Sequence, residues 1–534
     1  NYQLPITNHQ SPMPLETVAS EPLIQENLEK FLLVLSVSLS VATLSRMLSW
    51  VRQIPYTLLL VIVGVFLAFE DVRLVNLSPE LILEIFLPPL LFEAGWNLDW
   101  PKLKKDWVPI GLYAVVGVII SIVGIAFGLH QFTELSLPIA LLVGASLAAT
   151  DPVSVIALFR ELGVGKRLTV LMEGESLLND GVAVVAFSLL LGLALGVEDF
   201  SAQVTIARFS VFVGVGVGVG SLIGFGISYL TQRFDLPLVE QSLTLVAAYG
   251  TYVVTEKFGG SGVIAVVTVG LILGNFGSRI GMNPRTRMIV SEFWEFLSFF
   301  VNSIVFLLIG DQVQFQALRD NVHLMAIAII AVVATRAIGI YSLGGVSNWL
   351  AKSDIKLSEQ TVLWWGGLRG SVSIALALSV PIALPERDKV IAIVFGVVLF
   401  TLLVQGLTTK TLLQQLGLLS EGELQQEYVE ACARRAALER VLERLYELEG
   451  NAEFDREFYD YQLALVKGQI DDIHIDMQTM LGRHPDLRDF ANERLREELL
   501  TIEADTYAQL VRAGRLAEEL SPFLQDTLPP QQGD

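Results

Sequence analysis

The chain has 534 residues, of which 52% are hydrophobic and only 17% are charged, and its mean hydropathy is +0.56. Soluble globular proteins carry about a quarter of their residues as charged ones, so this composition excludes an ordinary soluble enzyme. Apolar stretches of about 20 residues, the length that crosses a bilayer as an α-helix, recur up to residue 416. The sequence therefore predicts an all-α, polytopic membrane protein.

The hydropathy pattern predicts thirteen spans, with twelve or fourteen as alternatives because some segments are short or rich in glycine. The spans lie near residues 28–50, 54–69, 78–96, 107–129, 136–159, 170–196, 207–230, 237–256, 261–275, 289–311, 322–349, 359–384 and 388–416. Residues 1–27 contain Pro5, Pro12, Pro14 and Pro22, so they are predicted to be an irregular leader, which would lie outside the cytoplasm. They lack the pattern of a signal peptide.

The basic residues of the connections predict the orientation. Lys and Arg collect on the cytoplasmic side of membrane proteins. Here they follow the odd-numbered spans, as Lys102, Lys104 and Lys105 follow the third span. The exception is the closely matched pair of connections around Arg233 and Lys257. We predict a multi-pass protein of the cell membrane with its amino terminus outside and its carboxyl-terminal tail in the cytoplasm.

The tail carries most of the excess negative charge. The formal net charge is −20, and residues 417–534 hold 26 Asp and Glu against 12 Lys and Arg. Apolar residues such as Val429, Ala433 and Val441 recur at helical spacing among these charges. An acidic, helical cytoplasmic tail is therefore predicted. It is either a domain that binds a regulator or a solvated extension.

Several functional classes lack their signatures in this sequence. The single cysteine, Cys432, excludes a disulfide within the chain and a cysteine-based metal cluster, and the five histidines lack metal-ligand spacing. No Walker A motif supports ATP-driven transport, and no cofactor or nucleic-acid partner is indicated. In a membrane helix, alternating glycines permit close packing and do not form a dinucleotide fingerprint; here they are Gly214, Gly216, Gly218 and Gly220.

Two of the predicted spans are interrupted near their middle. Pro152 lacks an amide hydrogen and disfavours helix at Asp151, so the fifth span should unwind there. Residues 366–371, Gly-Gly-Leu-Arg-Gly-Ser, interrupt the twelfth span. Interrupted helices at corresponding positions of two halves are typical of inverted-repeat secondary transporters with a site at the midplane. Two ordinary helix kinks are the alternative.

The sixth span begins with residues 173–181, Glu-Gly-Glu-Ser-Leu-Leu-Asn-Asp-Gly. Residues four apart share a face of a helix, so Ser176, Asn179 and Asp180 form one polar patch with Glu175 at its edge. Charges at membrane depth cost about 2.5–3.5 kcal/mol each on insertion scales and are usually functional. The patch is therefore a candidate site, whereas purely structural roles are the alternative.

The chemistry of this patch suits a small monovalent cation. Asp180 and Ser176 offer a charged and a neutral oxygen ligand, and oxygen ligands suit hard cations. Asp151, next to the unwound backbone of Thr150, can add a second carboxylate and a free carbonyl. We predict a cation site between the fifth and sixth spans.

Arg336 lies far from either end of the eleventh span, and its guanidinium group cannot lose its charge. It must therefore have a partner inside the membrane. Glu175 is the first candidate, with Asn179 bridging by hydrogen bonds, and Glu173 is the alternative. The pair is predicted to be structural and to hold the two halves of the core together.

Two further charges lie in the spans. Glu93, near the cytoplasmic end of the third span, is either an ion ligand, a charge in a funnel that leads to the site, or a side chain that reaches back to water. Arg369, in the interruption of the twelfth span, can balance the carboxylates of the core.

Four motifs together resemble the NhaP/NHE-type monovalent cation/proton antiporters of bacteria and cyanobacteria. They occur in family order within residues 28–416: Leu-Pro-Pro…Phe-Glu-Ala-Gly, Thr150-Asp151-Pro152, Gly174-Glu175-Ser176-Leu-Leu-Asn179-Asp180-Gly181 and Gly-Gly-Leu-Arg-Gly. The resemblance implies an antiporter fold like that of NhaA and NapA, with inverted repeats and two broken crossing helices. It also implies a homodimer with a dimerisation part (about 28–96 and 237–311), a moving core (about 107–196 and 322–416) and a linker helix (about 207–230).

The resemblance also implies roles for the candidate residues. Na⁺ would bind at Asp180, Asp151 and Ser176, with Thr150 and Glu93 contributing, and the pair of Glu175 and Arg336 would be the scaffold. The sequence keeps the family pattern at all of these positions.

Sodium/proton antiport by alternating access follows as the expected function, with Asp180 holding either a cation or a proton. Burial favours the neutral form of a carboxyl group and a nearby cation favours its charged form, so one carboxylate can couple both fluxes. Family members with two aspartates at the 179/180 positions resemble electrogenic exchangers. Position 179 is Asn here, so electroneutral one-for-one exchange is predicted.

Other functions fit the same residues. Potassium/proton exchange and lithium-tolerant exchange are alternatives, because ligand identity does not separate the alkali cations. A cation channel and a transport-inactive sensor that signals through its tail are alternatives from another class.

Overall fold

The structure is a computed structural model that describes residues 16–47, 55–70, 78–151, 153, 155–156, 159, 164–196, 202–231, 236–278, 282, 284–384, 386–418, 420–448, 455–512 and 515. All regular secondary structure in these residues is helical. In chain order the helices are α1 (Glu16–Met47), α2 (Tyr56–Phe69), α3 (Leu87–Asn97, directly after the π-helical Leu81–Phe86), α4 (Trp100–Lys105), α5 (Trp107–Phe132), α6 (Leu137–Ala148), α7 (Lys166–Ala194), α8 (Ala202–Thr231), α9 (Pro237–Lys257), α10 (Gly262–Gly277), α11 (Pro284–Asp311), α12 (Phe315–Asp320), α13 (Val322–Ala351), α14 (Leu357–Trp365), α15 (Ser371–Leu378), α16 (Arg387–Gln415), α17 (Ser420–Glu447), α18 (Arg456–Arg483) and α19 (Pro485–Arg512).

Six of the described helices, α5, α7, α8, α11, α13 and α16, are long and apolar enough to cross a membrane. Three shorter apolar helices, α2, α6 and α10, accompany them. The prediction of a helical, polytopic membrane protein is thereby confirmed. The count of thirteen spans and the inverted repeats stay predictions.

The amino-terminal helix differs from the sequence-based expectation. It begins at Glu16, so the second half of the expected irregular leader is helical. Pro22 lies within the range of this helix, although a proline cannot donate a helical hydrogen bond. Residues 1–15, with the other three prolines, lie outside the described residues.

Glycine permits a close helix crossing between α2 and α11. A Cβ atom on Gly64 of α2 would overlap Leu307 O of α11, and one on Gly310 would overlap Val61 O. The two backbones therefore touch, as small residues allow in membrane proteins. The four alternating glycines of α8 fall into two pairs. Gly216 and Gly220 pack against α10 and the residue before it, since an added Cβ would lie 2.9 Å from Ser261 O and 2.5 Å from Ala265 O. A Cβ added to Gly214 or Gly218 would have no described atom of a neighbouring element within 4 Å.

Both predicted interruptions are present, and they meet. α6 ends at Ala148, and the next residues up to Asp151 are not helical. α14 ends at Trp365, and α15 begins only at Ser371. The amide of Asp151 donates to the carbonyl of Leu368 at 2.8 Å, so backbone groups without helical partners in the two breaks bond to each other. Pro152, on which the first prediction rested, lies outside the described residues.

An ion pair with a buried carboxylate ties together three segments at one end of the fold. Arg167, at the start of α7, donates from Nε and Nη2 to the two carboxylate oxygens of Asp106 at 3.2 and 2.9 Å. Nη2 also donates to the carbonyl of Ser353, between α13 and α14. Asp106 is only 4% exposed, whereas the Arg167 side chain is 37% exposed, so the carboxylate is buried and the guanidinium group reaches the surface.

The tail is helical, as predicted, and has its own small apolar cluster. Tyr428 of α17, Met477 of α18 and Leu487 of α19 are buried against one another, with partly buried Phe490 beside them. In the described residues, an ion pair at 3.9 Å joins Asp505 of α19 to Arg287 at the start of α11.

Candidate ion-binding site

The polar patch predicted on the sixth span is buried along one face of α7. Glu175, Ser176, Asn179 and Asp180 are 3%, 1%, 1% and 8% exposed. Leu178, on the opposite face, is 39% exposed. The helical spacing therefore places the polar side chains towards protein and an apolar one outwards, as the pattern predicts.

The unwound residue Thr150 is held by this patch. Its amide donates to Asn179 Oδ1 at 3.1 Å, and its Oγ1 accepts from Asn179 Nδ2 at 2.5 Å. Ser176 Oγ donates to the Thr150 carbonyl and accepts from Thr150 Oγ1 at 3.2 Å. These bonds replace the helical ladder that Thr150 lacks, and they fix the break against α7.

The two aspartates face the same space. Asp151 and Asp180 both line a cavity of about 600 Å³, together with Thr150 and Gly370. Asp151 Oδ1 accepts from the Val153 amide at 2.9 Å. Asp180 Oδ1 is buried and has no hydrogen-bond partner among the described residues. A buried oxygen without a donor is costly unless a ligand satisfies it, which makes Asp180 a candidate ligand.

Ser176 has a different surrounding. It belongs to the patch, but it does not line this cavity, and its hydroxyl is occupied by Thr150. Of the three residues predicted to bind Na⁺, the structure thus brings two carboxylates to the cavity and places the hydroxyl behind the unwound backbone.

The other walls of the cavity are acidic and polar. Glu93 of α3, Glu173 of α7 and Glu295 of α11 line it, as do Ser298 and Asn302. Glu93 accepts from Asn97 Nδ2 at 2.5 Å. Glu295 is exposed, so the cavity reaches the surface of the protein. Clustered carboxylates in such a cleft raise the local concentration of cations.

The predicted partner of Arg336 is Glu175. Arg336 Nη1 and Nη2 donate to the two carboxylate oxygens at 3.1 Å each. Asn179 Nδ2 donates to Glu175 Oε1 at 2.9 Å, which is the predicted bridge. Arg336 Nε and Nη2 also donate to the Leu363 carbonyl, at 3.2 and 2.9 Å, just before the second break. The pair therefore ties α7 to both α13 and α14.

Arg369 is fully buried, with 0% exposure. Its amide donates to Thr401 Oγ1 at 3.1 Å, and Nη1 donates to Gly367 O at 3.3 Å. Its Nε has no hydrogen-bond partner among the described residues. The guanidinium group therefore adds a positive charge beside the carboxylates.

Two glycines of the second break have roles that their sequence pattern did not indicate. A Cβ atom on Gly367 would overlap Arg336 Nε, and one on Gly370 would overlap the Asp151 carboxylate. The pattern Gly-Gly-Leu-Arg-Gly predicts an interruption, whereas these glycines also let two charged groups approach the backbone. The sequence analysis also did not identify Glu295 as a residue of the cavity wall, because no motif around it on α11 indicates that position.

Comparison with known proteins identifies the family. The profile of the family described as "Sodium/hydrogen exchanger, transmembrane" matches residues 34–415 of the chain. The chain belongs to the sodium/hydrogen exchanger family. The resemblance that the four motifs indicate is thereby confirmed.

Two cyanobacterial relatives match nearly the whole length of the chain. It is 63% identical over 517 residues to the Na⁺/H⁺ antiporter ApNhaP of Aphanothece halophytica, which covers 97% of this chain and 99% of that protein. It is 57% identical over 515 residues to the low-affinity Na⁺/H⁺ antiporter NhaS1 of Synechocystis sp., with 96% and 98% covered.

A solved structure shares the fold. The sodium proton antiporter MjNhaP1 of Methanocaldococcus jannaschii superposes with a TM-score of 0.61 at 20% sequence identity, and the match covers 74% of this chain and 99% of that one. Together with the apolar helices, the family membership makes this chain a multi-pass membrane protein.

Proposed function

We propose that the chain exchanges sodium ions for protons across the cell membrane. The observation that carries this proposal is the pair of carboxylates, Asp151 and Asp180, which face one acidic cavity from two different helices. The names of the two cyanobacterial relatives, both Na⁺/H⁺ antiporters, support it.

Competition for Asp180 couples the two fluxes. Its buried Oδ1 is satisfied either by a sodium ion or by a proton, and the two exclude each other at one carboxylate. Asp151 supplies the second charge of the site, Thr150 its carbonyl and hydroxyl, and Glu93 a carboxylate on the facing wall. Ser176 contributes its oxygen when the Thr150 backbone shifts.

Exchange is one for one and electroneutral, because position 179 carries an amide. Asn179 cannot hold a proton, and both ends of its side chain are occupied by Thr150 and Glu175. A cycle that moves one sodium ion against one proton transfers no net charge. The membrane potential, which acts with about 2.3 kcal/mol per charge per 100 mV, then has no effect on the equilibrium.

Alternating access moves the core against the dimerisation part. Asp151, Asp180 and Glu173 belong to the expected core, whereas Glu93 and Glu295 belong to the expected dimerisation part, so the cavity lies between the two. With the amino terminus outside, this cavity faces the cytoplasm. A homodimer, the outside position of the amino terminus and a regulator of the tail are further parts of the proposal.

Reconstitution in proteoliposomes tests the proposal. Dequenching of a pH dye after addition of Na⁺ should report saturable proton movement that the variant Asp180→Asn lacks. The rate should not change when valinomycin clamps the potential at different values. Addition of Li⁺ or K⁺ instead of Na⁺ tests lithium-tolerant exchange and potassium/proton exchange. A cation flux without proton movement in the wild type would identify a channel.

A further inference from the structure

Five charged side chains lie together around the two breaks, and their charges do not cancel. Glu175, Asp151 and Asp180 carry three negative charges, and Arg336 and Arg369 carry two positive ones. Arginine does not lose its proton in proteins, so the positive charges are permanent. With no ion bound, the sum is one negative charge. A single monovalent cation therefore makes the buried site neutral.

Charges at the edge of this region leave the sum unchanged. Asp106 is buried, but Arg167 pairs with both of its oxygens. Glu93 also lines the cavity, but it stands on α3, in the expected dimerisation part, and does not move with the core. Glu173 of α7 also lines the cavity within the expected core, but it is only partly buried, so solvent screens its charge. The buried fixed charge of the moving site thus depends on the five residues around the breaks.

Arg369 contributes its charge in a different way from Arg336. Arg336 is bound to Glu175 through both Nη atoms and forms a neutral pair. In the described part of the chain, the guanidinium group of Arg369 donates only to the Gly367 carbonyl, and its charge acts through space on Glu175 and Asp180. Its full burial means that no water screens this interaction. Arg369 is therefore a counter-charge for Asp180 and Glu175.

We propose that Arg369 sets the net charge of the ion site, so that the site is neutral with one bound cation and charged without one. This inference rests on the proposed exchange and gives it a coupling rule. A net charge is costly in a low-dielectric interior, so the empty site stays on its side of the membrane. The site changes sides only when a sodium ion or a proton has neutralised it.

The variant Arg369→Gln tests the rule, because it leaves the loaded site with one negative charge. We expect exchange at least about tenfold slower than in the wild type, since a charged core must then cross. The residual rate should also vary with the clamped potential, by up to about sevenfold per 100 mV for one charge crossing a symmetric barrier. Wild-type exchange should not vary.

A conservative variant separates charge from packing. Arg369→Lys keeps the positive charge and should stay insensitive to the potential, even where its rate is lower. A merely structural role for Arg369 would slow both variants and leave both insensitive to the potential, which overturns the proposal. So would a wild-type rate in Arg369→Gln.

A second variant applies if Arg369→Gln does not fold. Ser371, at the amino-terminal end of α15, is buried and lines the cavity, so Ser371→Asp removes one positive unit from the same sum with Arg369 in place. We expect the same dependence on potential in Ser371→Asp and none in Ser371→Asn; insensitivity of Ser371→Asp overturns the proposal. Absence of exchange in the wild type would instead contradict the proposed function.

Discussion

The amide of Asp151 and the carbonyl of Leu368 form a hydrogen bond of 2.8 Å between residues that are 217 positions apart. Each residue lies where a helix is interrupted, so each break supplies a group that the other lacks. Backbone groups without helical partners must be satisfied in a membrane protein. The contact therefore explains how two unwound segments coexist inside the fold, and it places Asp151 beside the second break.

The replacement Gly370→Ala should abolish exchange while the protein still folds. A Cβ atom at position 370 would overlap the Asp151 carboxylate, so the aspartate must move away from the cavity. Overpacking of this kind costs about 1–3 kcal/mol. The matched control is Gly339→Ala in α13, where no described atom lies within 4 Å of the added carbon. Dye dequenching and the melting temperature in detergent measure both effects, and unchanged exchange in Gly370→Ala would contradict the prediction.

Replacement of Glu175 by Gln should destabilise the protein by about 3–5 kcal/mol, because it leaves the buried Arg336 without a charge partner. The control is Glu386→Gln, whose pair with Lys389 is partly exposed and should cost less than about 1 kcal/mol. Thermal unfolding in detergent compares the two variants. The charge swap Glu175→Arg with Arg336→Glu should recover part of the stability. Equal melting temperatures for Glu175→Gln and Glu386→Gln would show that the buried pair is not a scaffold.

The replacement Asn179→Asp should make exchange sensitive to the membrane potential. A second carboxylate beside Asp180 can carry a second proton, so a cycle then moves net charge. The variant should also be less stable, since Asn179 donates to Glu175 and a carboxylate at position 179 would repel Glu175. Asn179→Ala, which loses the side-chain hydrogen bonds of Asn179 without adding a charge, is the control and should stay insensitive. The measurement is the exchange rate at two clamped potentials, and equal rates for Asn179→Asp would speak against this stoichiometry.

Glu173 and Glu295 should assist the approach of cations to the site. They line the cavity from two different walls, and paired carboxylates attract cations over a distance set by ionic strength. The double replacement by Gln should raise the apparent KM for Na⁺ about threefold in dilute buffer and much less at about 0.5 M inert salt. The control is Glu292→Gln, an exposed residue of the same helix that does not line the cavity. The maximum rate should stay unchanged, and a KM shift that persists at high salt would point to direct ligation instead.

Local patterns were sufficient for much of the fold. Hydropathy located the apolar helices to within a few residues, because burial in lipid depends on the composition of a segment and not on its neighbours in space. The break in the twelfth span followed from its glycines and the polar face of α7 from the spacing of four residues, both of which are properties of a short stretch. The pair of Arg336 with Glu175 could also be predicted, because a buried arginine needs a carboxylate and few were available.

The contacts within the candidate site became clear only from the tertiary structure. No local pattern predicts that Asp151 contacts Leu368 or that Gly370 makes room for a carboxylate. Nor does it predict that Ser176 bonds to Thr150 while one Asp180 oxygen has no donor among the described residues. These relationships join residues from distant parts of the chain, and they depend on which helices cross and how closely. The cavity has the same origin, since Glu93, Glu173 and Glu295 come from three helices. Side-chain type and order along the chain thus indicate the chemistry, whereas the crossing of the helices selects which groups reach the ion.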